Sequence, residues 1–290
     1  MASTITLKRR ISSIKSTKQI TKAMELVAAS KMRRAQERAR LSREYRQLSY
    51  DLLARLNTIK EVEQHPLFQK RTVKTRLYLV ITSDGGLVGA YNYNVLKQFT
   101  NAVIADRDKG IKSDVVVIGK QGSKYIRQLE HINLVGVYPS FGDSPSANDI
   151  RPILNTIIER YSDKTVDEVV IVYTTFISNL VQQAKQLPIL PADLSDADKG
   201  DKSYSVTNFE PDADIVVERT ASRLLEVQIW QALLEGLASQ YSMQMLAMKN
   251  ATDNASDLIG DYTLELNTLR QANITQELAE ISGGVEALSE

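Results

Sequence analysis

The sequence predicts an α/β domain set into a long helical hairpin. Three observations predict it. Residues 219–286 contain no proline and carry an apolar seam at coiled-coil spacing. Residues 4–59 contain neither glycine nor proline and are dominated by good helix formers. Between these stretches, short β-branched runs alternate with helical ones. The expected architecture is an antiparallel coiled coil of N- and C-terminal helices, residues 1–60 and 212–286. A Rossmann-like, mostly parallel sheet domain, residues 72–209, is inserted between them.

The C-terminal seam reads Leu234, Ala238, Tyr241, Met245, Met248, Thr252, Ala255, Ile259, Tyr262, Leu266 and Leu269. Its steps alternate between four and three, the spacing of a left-handed coiled coil. At 1.5 Å per residue the helix runs roughly 100 Å. That exceeds a compact domain of this chain length, so the helix has to project, and its seam needs a partner. The N-terminal helix is the obvious one. Its apolar residues fall into four runs: Leu7, Ile11 and Ile14; Ile20, Met24, Val27 and Ala28; Met32, Ala35 and Ala39; and Leu48, Leu52, Leu56 and Ile59. The runs slip register, which predicts irregular supercoiling.

The 290 residues carry a net charge of +1. The balance hides an asymmetry. Residues 1–46 hold thirteen Lys and Arg against three Glu, whereas residues 253–290 hold eight acids against Arg270. The two ends are electrostatic complements, which favours placing them side by side. There are no cysteines, which excludes disulfides, thiolate metal sites and cysteine nucleophiles. No apolar run is long enough to span a bilayer. The first residues, MASTITLKRR, lack an apolar signal core, so an unsecreted chain is expected.

In the middle, strands are expected at 76–82, 115–118, 132–137 and 168–173, with edge strands at 182–190 and 204–209. Helices are expected at 94–108, 122–129 and 147–161. Ser144-Pro145 reads as a cap followed by a first-turn proline, and residues 191–202 as a loop.

Candidate chemistry is sparse. Ser83–Asn92 (SDGGLVGAYN) follows the first strand but is neither a dinucleotide fingerprint nor a P-loop. Gly119–Lys124 (GKQGSK) also lacks P-loop spacing. Glycines in such turns supply positive φ without any phosphate. Gly142-Asp143-Ser144 is better read as a helix cap than as a hydrolase serine. His65 and His131 sit in no ligand-like cluster. No catalytic residue, metal site or cofactor site emerges, and the chain reads as non-enzymatic. The basic first helix could meet nucleic acid or an acidic protein surface, and it lacks the interleaved aromatics of single-strand binders. Met24–Met32 is apolar nearly all round, and Ile274–Val285 is apolar in patches. Both need enclosure by more protein than a helix pair supplies.

Three stretches carry a family resemblance: Ile20–Gln36 (ITKAMELVAASKMRRAQ), Ala247–Ala255 (AMKNATDNA) and Arg270–Gly284 (RQANITQELAEISGG). They closely resemble the gamma subunit of F-type ATP synthase, in a collinear match along the whole chain. The C-terminal family pattern is met by Ile274, Thr275, Glu277, Glu280 and Gly284, with Val285 where alanine is usual. In the middle, Gly85, Val88 and Ala90 replace the family's usual Arg, Cys and Gly.

The resemblance implies a central stalk that turns inside a ring of alpha and beta subunits, beside an epsilon subunit and on a membrane c-ring. It implies no catalysis by this chain, no cofactor and no nucleic-acid partner. It also implies a peripheral location on the cytoplasmic face of a bacterial energy-transducing membrane. Met24, Arg270, Gln271, Thr275 and Glu277 align with the family's rotor–stator contact region. Local charge adds Lys22, Arg33 and Arg34 as cations facing acidic loops of the ring. The competing readings are a nucleotide-dependent α/β enzyme with helical arms and a basic coiled coil that binds nucleic acid. Saturable nucleotide binding or salt-sensitive DNA binding by the isolated chain would distinguish them.

Overall fold

A computed structural model describes residues 4–56, 65–142, 145–192 and 213–289. In chain order the elements are α1 (Thr4–Leu56), β1 (Thr75–Ile81), α2 (Tyr91–Asp108), β2 (Lys112–Ile118), α3 (Lys120–Ile126), β3 (Ile132–Tyr138), α4 (Arg151–Ser162), β4 (Glu168–Phe176), β5 (Gln182–Leu190) and α5 (Ala213–Ser289). Short 3-10 turns cover Pro66–Phe68 and Ala147–Ile150. The chain divides into two compact units that share α1 and α5. One comprises Met1–Ala28 and Met245–Glu290, the other Ala29–Gln244.

The second unit holds a five-stranded sheet of order β3-β2-β1-β4-β5. β1 pairs in parallel with β2 and β4, β2 in parallel with β3, and only β5 runs antiparallel. The chain winds outward from β1 to β3, then crosses back to β4. Right-handed crossovers therefore set α4 on the face opposite α2 and α3. Covered on both faces, β1, β2 and β4 are apolar without alternation. One core joins Tyr78, Val80, Val115, Val117, Val170 and Val172 to Val95 and Phe99 of α2 and Ile126 of α3. Phe99 meets Tyr78 edge-to-face at 5.5 Å between centroids.

Several boundaries differ from expectation for physical reasons. β2 begins at Lys112 because polar Asp114 has partners: Asn133 Nδ2 of β3 donates to it at 3.0 Å and Arg160 Nη1 of α4 at 2.9 Å. Ser146 caps the 3-10 turn that leads into α4, in a capping box with Asp149, and the first-turn proline of α4 is Pro152. Ser144 and the 204–209 strand lie outside the described residues. α3 starts at Lys120, directly after Gly119 at φ 98°. A Cβ on Gly119 would lie 2.3 Å from the Thr82 carbonyl oxygen, so only glycine fits.

α1 and α5 join the sheet in the second unit. Residues Gln231 to Ser239 of α5 are buried without a break. Glu235, 4% exposed, accepts hydrogen bonds from Gln231 Nε2 at 2.8 Å, from Arg43 Nη2 of α1 at 3.0 Å, and from Thr175 Oγ1 of β4. Burial pushes the Glu235 carboxyl up, but those donors outweigh it and hold it below the ordinary glutamate value.

Two predictions follow from this packing. Gly122→Ala would put a methyl group 2.6 Å from Thr82 Oγ1 and 2.7 Å from Val117 Cγ2. Its cost is about 1–3 kcal/mol by urea unfolding of the full chain, and an unchanged midpoint would contradict the packing. Glu235 has a lowered folded-state pKa, so its ionised form stabilises the fold above the unfolded pKa, and that contribution is lost as pH falls through the folded one. Glu235→Gln is expected to destabilise by about 1–3 kcal/mol at neutral pH. The gap to the parent should close as pH falls below the ordinary glutamate value and on through the lowered folded one, in unfolding curves recorded across pH.

Candidate functional site

The first unit is a pair of helix segments. Arg10 stacks 5.9 Å over the Tyr262 ring, and Thr252 Oγ1 donates to Thr21 Oγ1 at 2.8 Å. Advancing along α1 therefore means retreating along α5, and the pair is antiparallel. On α5 the seam holds: from Met245 to Leu269 each of its positions is buried or half-buried, while most of the residues between are exposed.

On α1 the seam differs in part from the expected runs. Leu7, Ile11 and Ala28 are buried and Ile14, Lys18, Thr21 and Glu25 half-buried, with Met24 half-buried beside them, and the seam continues in the second unit through Met32, Ala35, Ala39 and Ser42. Steps of four and three alternate without a slip. The expected slip came from following apolar residues alone. Lys18, Thr21 and Glu25 occupy seam positions, and Thr21 is held there by its bond to Thr252. Ile20, Leu26 and Val27 are turned outward instead, at 61%, 61% and 53% exposure. Leu26 and Val27 belong to Met24–Met32, the stretch expected to need enclosure, whereas Ile20 was expected only as a seam residue. A strict heptad continued from Leu7 through the polar residues places Ile20 and Val27 outside the seam.

The candidate residues spread over several levels. Lys22 is exposed and pairs with Glu25 at 3.0 Å, a contact within α1. Met24 is half-buried beside it. Arg270, Gln271, Thr275 and Glu277 are all exposed on α5, and Thr275 Oγ1 donates to the Gln271 carbonyl at 2.9 Å. Counted from Thr252, opposite Thr21, Arg270 lies roughly 27 Å further along α5 by helix rise. The structure thus does not gather Lys22 and Met24 with Arg270–Glu277. Arg33 and Arg34 belong to the second unit, both exposed, with Arg34 Nη2 donating to Ser30 Oγ at 3.5 Å.

Beyond Leu269 the character of α5 changes. Every side chain described from Arg270 to Val285 is exposed, Ile274, Leu278, Ile281 and Val285 among them. Their steps of four, three and four form an apolar stripe along one face. It runs one or two residues ahead of the seam, whose continuation falls on Asn273, Gln276 and Glu280. The stripe and the outward Ile20, Leu26 and Val27 are surfaces suited to enclosure by other protein.

The loops at the carboxyl ends of the strands are closed by their own side chains. Asp84 Oδ1 accepts from the backbone amide of Lys120 at 2.9 Å and of Ser140 at 3.2 Å. Gly122 N donates to Thr82 Oγ1 at 3.0 Å. A carboxylate thus sits where a bound phosphate would need open amides, which speaks against the nucleotide-enzyme reading. Among the described residues no acidic or histidine cluster could hold a metal. His65 Nδ1 accepts from Leu67 N at the first 3-10 turn, and His131 lies in a turn at φ 64°. Among the described residues, no helix is long and apolar enough to cross a membrane.

Comparison with known proteins gives one consistent answer. A family model described as ATP synthase matches residues 3–288. The ATP synthase gamma chain of Legionella pneumophila strain Corby is 37% identical over 289 residues, covering 99% of this chain and 100% of the relative. That of Macrococcus caseolyticus strain JCSC5402 is 40% identical over 290 residues, again with 99% and 100% covered. Among solved structures, a chain of the Euglena gracilis mitochondrial ATP synthase aligns with TM-score 0.68 at 19% identity, over 98% of this chain and 94% of that one. A chain from the central stalk and c-ring of the Tetrahymena thermophila mitochondrial enzyme aligns with TM-score 0.60 at 22% identity, over 80% and 99%. At these identities the structures speak for the fold.

The seam assignment is directly testable in the isolated chain. Ile20→Ser and Leu26→Ser should each change unfolding free energy by no more than about 0.5 kcal/mol, as surface substitutions do. Leu7→Ala, fully buried, should cost about 2–5 kcal/mol. Equal losses in urea titrations would place Ile20 and Leu26 in the core.

Proposed function

This chain belongs to the ATP synthase gamma-chain family, and from that premise we propose how its surfaces serve the complex. The chain is the central stalk. It is not itself catalytic; ATP is made and hydrolysed in the ring of alpha and beta subunits. Its further partners are the epsilon subunit and the membrane c-ring. Ion flow turns the c-ring and the stalk, and an asymmetric shaft presents a different face to each catalytic subunit. Each face favours a different conformation and nucleotide affinity, so turning couples to chemistry through differential contacts.

The observation that carries this reading is the run of α5 past Leu269. It is exposed on every side yet striped with Ile274, Leu278, Ile281 and Val285. A helix of that kind is completed by a surrounding apolar sleeve, and a ring of subunits supplies one. Segments 1–60 and 212–286 are the shaft, and 72–209 the domain that faces epsilon and the c-ring. Met24, Arg270, Gln271, Thr275 and Glu277 make contacts to the ring at separate levels. Lys22, Arg33 and Arg34 face acidic loops of the ring. Exposure of Arg33, Arg34 and Arg270 on their helices supports that role. The location follows as peripheral, on the cytoplasmic face of a bacterial plasma membrane.

The reading is tested by recovering tagged chain from its native membranes and assaying the eluate for ATPase activity. Two large nucleotide-binding subunits with activity are expected; chain recovered alone, folded and monomeric, would overturn the sleeve. Arg33→Glu with Arg34→Glu is expected to lower ATP-driven ion pumping more than ATPase turnover in membrane vesicles. The shift should be on the order of tenfold if about 1.4 kcal/mol of contact is lost. Unchanged coupling would remove both arginines from the contact set.

A further inference from the structure

Resting on the stalk reading, we propose that the polar network around Glu235 is the joint that bears torque between shaft and sheet domain, with Glu235 as its positioning residue. Two features of the second unit lead there. The first is directional bonding where apolar packing would be the default. Along one face of α5, Glu235, Ser239 and Ser242 each reach the β4–β5 hairpin. Thr175 Oγ1 donates to Glu235, Ser239 Oγ to the Thr174 carbonyl at 3.3 Å, and Ser242 Oγ to the Asn179 carbonyl at 2.7 Å. Gln182 Nε2 donates back to Ser242 Oγ at 3.1 Å. The second feature is that α1 joins the same hairpin and the same carboxylate. Gln36 Nε2 donates to Asn179 Oδ1 at 2.8 Å, and Arg43 Nη2 to Glu235 Oε1 at 3.0 Å. Both shaft helices are thus bonded to one hairpin.

The physical reason concerns direction. Apolar contact is non-directional and tolerates a helix turning about its own axis. Hydrogen bonds weaken steeply as their angles open, and those to a charged group are the strongest. A carboxylate gripped from α1, α5 and β4 at once resists rotation of either helix against the sheet. Within the first unit the hydroxyl pair Thr21–Thr252 and the Arg10–Tyr262 stack are contacts that cross the helix pair. Neither holds a buried charge. The joint is therefore the stiff part of the shaft, and its stiffness depends on the Glu235 charge.

The test uses the complex of this chain with its ring subunits, fixed through the ring. A rotation probe is attached to Asn101→Cys, an exposed position of α2, in a chain with no native cysteine. Angular fluctuations during a catalytic pause report torsional stiffness. Glu235→Gln should widen the angular variance by about twofold, as charge-assisted bonds give way to neutral ones. Glu235→Asp should restore part of the stiffness. Asp114→Asn removes the Arg160 partner at the opposite end of the strands. It should lower Tm yet leave the variance at the parent's value. Equal variance in Glu235→Gln and the parent would overturn the proposal. So would equal widening by Asp114→Asn, which would make the effect one of general stability. A parent complex that hydrolyses ATP without turning would instead overturn the stalk reading itself.

Discussion

The antiparallel seam between α1 and α5 is the constraint on which the rest depends. Its buried positions alternate in steps of four and three on both helices, through apolar and polar residues alike. Such a seam buries one stripe of each helix and leaves the remainder to solvent or to a partner. Ile20, Leu26, Val27 and the stripe from Ile274 to Val285 are among the apolar residues left exposed, with Ile5, Leu41, Leu258 and Leu264. A monomer that kept those residues for its own core would need a third helix. A stalk inside a ring does not, because the ring provides the other wall. The exposed apolar surface is thus the structural counterpart of being a subunit.

The second unit solves a different problem. There α5 is buried without a break from Gln231 to Ser239, and polar side chains sit inside the contact. Burying Glu235 costs desolvation, which three donors from three elements offset. The arrangement exchanges adaptable packing for a fixed angle. Adaptable surfaces belong where the shaft slides past neighbours, and fixed angles where force has to pass.

The sheet domain has the outline of a nucleotide-binding fold without its chemistry. In such folds a ligand sits outside the carboxyl ends of the strands. Here Asp84 takes the Lys120 and Ser140 amides, and Gly119 and Gly122 lie too close to Thr82 for any other residue. The glycines that resemble a phosphate loop are therefore packing glycines.

Much of this was legible in the sequence. The helical hairpin, the inserted parallel sheet, the C-terminal seam and the family all follow from local periodicity and motif, which depend on residues near one another in the chain. The α1 register was not legible from apolar residues, because Lys18, Thr21 and Glu25 hold seam positions and only a partner across the pair, such as Thr252 for Thr21, shows that they do. Nor was the Glu235 joint legible. Arg43, Thr175 and Glu235 lie far apart in sequence, and no spacing rule connects them. Local pattern determined which segments are helix, strand and seam. The tertiary structure alone decided which polar groups meet, because burial and donor geometry exist only once distant elements are packed together.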